Sequence, residues 1–211
     1  MNPLWNQIAR QANIELDAER QRQLSLFLDL LLAANQQINL TRITDRAAAD
    51  VQHVGDALTL LPYLPTGSIC IADVGSGGGV PGLPIAIVRP ESRITLIEST
   101  KKKCRFLSET SRQLGLSNVE VIDQRAESII GRKFDVVISR AVAELKQLVQ
   151  WCLPLTRPGG KMLAMKGPKW KEEANSAATI IARLRGMQAQ VREIDLPGLA
   201  GHVILEIAKL A

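Results

Sequence analysis

The chain is poor in the residues that build several common kinds of protein. Aromatic side chains make up only 3 % of its 211 residues, which argues against a base-stacking platform such as an RNA-recognition motif or an OB-fold. No apolar run approaches the ~20 residues that a bilayer span requires. The segment around Trp5, Asn6 and Gln7 lacks the basic-then-apolar order of a secretory signal. Cys70, Cys104 and Cys152 are odd in number, scattered and without C-x-x-C spacing, so they read as reduced core thiols of a cytoplasmic protein. His53 and His202 are the only histidines, and no metal site is expected. Internal repeats and low-complexity linkers are absent as well.

What is present is an apolar fraction of 46 %, ample for a packed core, and a net charge of +5 that is unevenly placed. Residues 1–68 carry 5 Lys/Arg against 7 Asp/Glu, whereas residues 69–211 carry 21 against 14. The basic excess gathers at Lys101–Lys103, Arg105 and Arg112, and again at Arg157, Lys161, Lys166, Lys169 and Lys171. Such a field suits a polyanionic partner.

The most informative stretch is residues 69–82, ICIADVGSGGGVPG. An apolar run ends in Asp73, then comes a glycine loop, then Pro81 opening a helix. This is the pattern of a buried strand turning tightly beneath a nucleotide-like cofactor. Glycine tolerates φ > 0 and lets the backbone touch a ligand, and the helix N-terminus is expected to face an anionic group. Gly77 to Gly82 satisfies G-x-G-x-x-G, with Glu98 about where a ribose-binding acid stands, which would suit a dinucleotide. Asp73-x-Gly75-x-Gly77 instead suits S-adenosylmethionine, because a carboxylate there attracts an ammonium and repels a pyrophosphate. The S-adenosylmethionine reading is favoured.

Residues 17–38 have the helical period at Leu24, Phe27, Leu28, Leu31 and Ile38, with Asp17 as N-cap. Helical character extends over residues 1–60, broken at Asn39-Leu40-Thr41. Beyond residue 60, candidate strands at 69–74, 93–98, 118–122, 134–139, 160–165, 188–194 and 202–208 alternate with helices at 81–89, 101–115, 142–153 and 171–186. Alternation predicts an α/β domain over 61–211, a parallel sheet covered on both faces. Only five residues, 197–201, separate the last two strands, so that pair is antiparallel. This resembles the Rossmann-like sheet of class I S-adenosylmethionine-dependent methyltransferases, here with a helical N-terminal extension over 1–60.

Glu98 ends the second strand, where an acid accepts ribose hydroxyls. Ala126 and Glu127 follow the third, where an adenine ring would be edged. The fourth delivers Ser139 and Arg140 to the ligand crevice. Several chemistries lack their parts. No Asn/Asp-Pro-Pro-aromatic turn for amine methylation follows the fourth strand. Cys152 lies on the inward helix face and is no pyrimidine nucleophile. No evident His or carboxylate partner supplies the base that a hydroxyl or carbon acid needs. Guanine N7 requires none of these, since it attacks a sulfonium methyl without losing a proton. Alignment and exclusion of water then carry the catalysis, and proximity supplies ~7–11 kcal/mol. Arg140 is able to donate to guanine O6, a phosphate or the cofactor carboxylate, and Lys166 to a phosphate. Open alternatives are a small-molecule methyltransferase, an NAD-dependent oxidoreductase and a non-catalytic ribosome-assembly factor.

Asn39-Leu40-Thr41, His53-x-x-Asp56, Asp73–Gly77, Val80–Pro84, Ile87–Pro90, Lys102–Leu107, Ile138–Ala141 and Lys166-Gly167 span essentially the whole chain. In these motifs it resembles the bacterial small-subunit rRNA guanine-N7 methyltransferases, the glucose-inhibited division protein B family. The resemblance implies methylation of N7 of one guanine in 16S rRNA near the decoding centre, by a monomer acting on the RNA or the small subunit. It further implies that Gly75, Val80, Ala126, Glu127 and Arg140 line the cofactor. Together with Asp73, Gly77 and Glu98 these form the expected cofactor set, and Lys102, Arg105, Arg140, Lys166 and His53 the expected RNA contacts. Gly78, Gln52 and Gly201 stand where the family commonly has proline, arginine and arginine. A glycine at 78 leaves cofactor binding intact.

Overall fold

A computed structural model describes residues 2–211. Helices α1 (Pro3–Arg10) and α2 (Ala18–Asn35) come first. Asp17 caps α2 as its pattern predicts, accepting from the Arg20 amide at 2.8 Å. Leu24, Phe27, Leu28 and Leu31 are buried along one stripe of α2, each contributing on the order of 1.5–3 kcal/mol. A short helix α3 (Arg46–Ala49) then widens into a π-helical stretch, Asp50–Gly55, and closes as α4 (Asp56–Leu58). Trp5 on α1 donates its indole N–H to the Asp50 carbonyl at 2.8 Å, satisfying a group at the start of that widened turn.

From residue 70 the chain alternates as expected. The order is β1 (Cys70–Val74), α5 (Gly82–Val88), β2 (Arg93–Glu98), α6 (Lys101–Gln113), β3 (Val119–Asp123) and β4 (Phe134–Arg140). It continues through α7 (Leu145–Leu155), β5 (Thr156–Lys166), α8 (Trp170–Arg183), β6 (Gln190–Glu193) and β7 (Val203–Ala208). The described strands form one seven-stranded sheet in the order β3-β2-β1-β4-β5-β7-β6. Five run parallel, and β7 inserts between β5 and β6, antiparallel to both. The order reverses between β1 and β4, where a crevice opens at their carboxyl ends.

Each face of the sheet carries its own core. Ile71, Val136 and Ile138 pack with α2 and α5 residues, while Ala72, Val74 and Val137 pack with α7 and α8 residues. The helical segment has no core of its own: Trp5, Ile8, Phe27 and Leu58 join the first of these clusters. On α6, Cys104 and Leu107 face inward, as does Leu114 just beyond its end, and Lys101, Arg105 and Arg112 stay exposed, as their spacing predicts. Of the three free thiols, Cys104 and Cys152 are buried, but Cys70 is only half-buried because β1 begins there at the lower edge of the sheet. No helix among the described residues is long and apolar enough to cross a membrane.

Candidate active site

At the crevice the glycine loop folds over the ends of β1 and β2. The Gly75 and Ser76 amides donate to the Ile97 carbonyl at 2.9 and 3.2 Å, tying the loop to β2. Gly77 donates to Glu98 Oε2 at 3.0 Å, while Glu98 Oε1 accepts from the Ser99 and Thr100 amides. Glu98 thus holds the loop and the start of α6 together. Gly75 has φ +73°, and a Cβ there would lie 2.4 Å from the Val142 side chain. Only glycine fits between the loop and the segment that leaves β4. That segment turns sharply, with Ala141 at φ 55° directly after Arg140.

The result is a cavity of about 380 Å³, within the range of small-ligand sites. Gly75, Gly77, Val80, Glu98, Ala126, Glu127 and Arg140 all line it. Asp73 does not. Side chains alternate along a strand, so Asp73 shares the face of Ile71 and points beneath α5. There its Oδ2 accepts the Gly82 amide at 3.0 Å, and Oδ1 is buried without a hydrogen-bond partner. The first amide of α5 is therefore taken by the protein, not offered to an anionic ligand. Burial raises the Asp73 carboxyl to about 7, against the opposing pull of the Gly82 amide. Ser139 is likewise turned away, fully buried and donating to the Val74 carbonyl at 2.9 Å.

A second, larger cavity of about 850 Å³ adjoins the first. Leu40, Thr41, His53, Arg140 and Ala141 line both. Arg140 is the hub. Its Nη1 donates to the Gln52 carbonyl at 2.7 Å and to Asp56 Oδ2 at 3.1 Å, and its Nη2 lies 3.2 Å from His53 Nδ1. The widened π turn makes this convergence possible, since it presents a carbonyl, a ring and a carboxylate from neighbouring turns. His53 Nε2 lies 2.9 Å from Thr41 Oγ1. Burial, then the Arg140 charge, lowers His53 to about 4, so the ring is neutral at physiological pH. Burial pushes the Asp56 carboxyl upward while Arg140 pulls it back.

Two of the expected RNA contacts are therefore positioned otherwise. His53 is 2 % exposed with both ring nitrogens engaged, inside the wall between the cavities. Lys166 is buried, paired with Glu173 at 2.6 Å and donating to the Ala143 carbonyl at 2.8 Å. Lys102 and Arg105 are exposed on α6. Arg112, on the same stripe, is paired with Glu109 at 2.6 Å. Sequence reasoning missed Lys103, Val142 and Trp151 on the first wall, and gave Thr41 only a helix break and a place in a family motif.

Residues 20–197 match the GidB family, described as rRNA small subunit methyltransferase G. A protein of that name from Sorangium cellulosum is 43 % identical over 198 residues, covering 91 % of this chain and 81 % of that protein. One from Lactobacillus delbrueckii subsp. bulgaricus is 37 % identical over 209 residues, covering 95 % and 87 %. Among solved structures, a methyltransferase from Pyrococcus furiosus superposes with a TM-score of 0.63 at 13 % identity, covering 90 % of this chain and 99 % of that one. That likeness is one of fold, the same α/β sheet covered by helices. With the glycine loop, the switch-point crevice and the match over most of its length, the chain belongs to the GidB family of small-subunit rRNA methyltransferases.

Proposed function

We propose that this protein transfers a methyl group from S-adenosylmethionine to N7 of one guanine in 16S rRNA near the decoding centre, by direct attack without a general base. The observation that carries this reading is the wall between the two cavities. A cofactor-sized space opens onto a second one at Thr41, His53 and Arg140, and the titratable groups of that wall are already engaged. Both His53 nitrogens are hydrogen-bonded, and Asp56 is paired with Arg140. On that wall His53 has no free nitrogen to receive a proton, and N7 has none to shed.

The first cavity fits the cofactor by its own construction. Gly75 lets the loop pass close against Val142 at the cavity wall, and Glu98 stands at the end of β2 where ribose hydroxyls meet an acceptor. The cofactor, when bound, supplies an electrophilic methyl on sulfur. The chain does the rest. Gly75, Gly77 and Val80 hold one side, Ala126 and Glu127 the other, and Arg140 fixes the partition to the second cavity, where the target base is held in line. Alignment of this kind supplies ~7–11 kcal/mol of a displacement barrier. The names of the relatives and the exposed Lys102 and Arg105 support an RNA substrate.

Incubation with labelled S-adenosylmethionine and either naked 16S rRNA or small subunits, followed by mapping of the labelled base, tests the proposal. Label confined to N7 of a single guanine is expected. Label on another atom, or on small molecules only, contradicts it.

A further inference from the structure

The hydrogen-bond chain that starts at Arg140 fixes the direction of a distant proton. A guanidinium carries donors only and keeps its charge, so His53 Nδ1, 3.2 Å from its Nη2, accepts. A neutral ring whose Nδ1 accepts carries its hydrogen on Nε2. Nε2 therefore donates to Thr41 Oγ1 at 2.9 Å. The Ile43 amide donates to the same oxygen at 3.0 Å. Both acceptor positions of the hydroxyl are now filled, and its own hydrogen is all that it has to offer. The residue is also held through its backbone, because the Leu40 and Thr41 amides both donate to Asn35 Oδ1, at 2.8 and 2.9 Å. Thr41 is thus a fixed, donor-only group on the seam of the two cavities.

We infer that Thr41 is a specificity-determining residue whose hydroxyl donates to O6 of the target guanine; this rests on the guanine-N7 reading above. Guanine presents N7 and O6 as adjacent acceptors, whereas adenine presents N7 beside an amino donor. A donor-only hydroxyl next to the methyl-accepting atom pairs with the first and opposes the second. The same bond draws electron density from the ring, so Thr41 selects and seats the base without making N7 a stronger nucleophile. Arg140, acting through His53, is a positioning residue for that hydroxyl.

The test is kcat/KM for RNA carrying either guanine or 2-aminopurine at the mapped position, with wild type, Thr41→Ser and Thr41→Val, each checked by thermal melt. 2-Aminopurine keeps N7 and lacks O6. Wild type should prefer guanine by at least about tenfold, the cost of leaving a buried donor unpaired. Thr41→Val should lose most of that preference by slowing on guanine alone, since the base change and the residue change remove the same bond. Thr41→Ser should keep the preference within about threefold. Equal rates of the wild type on both bases overturn the inference, whether or not Thr41→Val folds. So does a Thr41→Val enzyme that slows equally on both. Wild-type label on an atom other than N7 removes the underlying reading instead, and base mapping tells the two failures apart.

Discussion

Two cavities share Arg140 but are made of different material. The first is chiefly a product of the sheet: strand ends and backbone from the short runs 74–80, 97–99 and 124–127, to which the helical segment adds Leu31, Leu40, Thr41 and His53. The second is a product of side chains brought from far apart, with Thr41, Gln52, His53 and Asp56 of the helical segment facing Met165, Lys166 and His202. The Arg140 contacts to Gln52 and Asp56 bridge 88 and 84 residues of sequence. A backbone-made site is constrained at each position by close approach. A side-chain-made site depends on one charged hub being satisfied. The two should therefore break differently.

The largest effect is expected on the backbone side. Gly75→Val puts a β-branched residue at φ +73° and a Cβ 2.4 Å from Val142, so cofactor binding should fall by at least about a hundredfold. Gly131→Ala is the control: φ is +77°, but nothing lies within 4 Å. It should cost only the local strain of about 1–2 kcal/mol in stability, and leave binding intact. Calorimetry with S-adenosylmethionine and a thermal melt separate the two. Near-normal affinity in a folded Gly75→Val protein would remove the loop from the site.

On the side-chain side, Arg140→Lys keeps the charge but loses the planar fork that reaches Gln52, Asp56 and His53 together. Methyl transfer should drop about ten- to a hundredfold in a folded protein. Activity within twofold of wild type would mean that the hub is dispensable.

This difference in material also explains what is legible in the sequence. Five parallel strands, the antiparallel finish and the Asp17 cap are legible because they depend on local periodicity. The first cavity is legible because its glycines sit in one run. Asp73 reads as a ligand contact by its motif, although strand parity puts it with Ile71 on the α5 face. Lys166 reads as free because its partner Glu173, on another element, is visible only in three dimensions. The π turn that aims Gln52, His53 and Asp56 at one guanidinium leaves no pattern in sequence.

Asp73 gives a subtler contrast, in stability instead of activity. Burial holds its folded-state value near 7, well above the ordinary 3.8. The folded protein therefore keeps a proton that the unfolded chain releases. Its contribution is full below about pH 4 and is lost as pH rises toward 7. Asp73→Asn, neutral throughout, should flatten that part of the melting profile. An unchanged slope between pH 4 and 7 would show that the carboxyl ionises freely in the fold.

The smallest effect concerns the outer surface. Lys102→Gln with Arg105→Gln should make the logarithmic salt dependence of RNA binding shallower by about 1–2, at ~0.7–0.9 for each phosphate no longer neutralised. Arg112→Gln should change it less, because Glu109 already pairs with that guanidinium. Equal effects from the two surfaces would sink the distinction between free and paired charges.

The most direct measurement is single-turnover methylation of RNA at saturating cofactor, between about pH 6 and 9, for wild type and His53→Ala, with folding checked at each pH. His53 is held near 4 with both nitrogens engaged, so the ring does not titrate as a base across that range. A rate that lacks an ascending limb in both proteins is the expected result. A tenfold rise per pH unit in wild type that vanishes in His53→Ala would mean that a base removes a proton, and that the nucleophile is not N7.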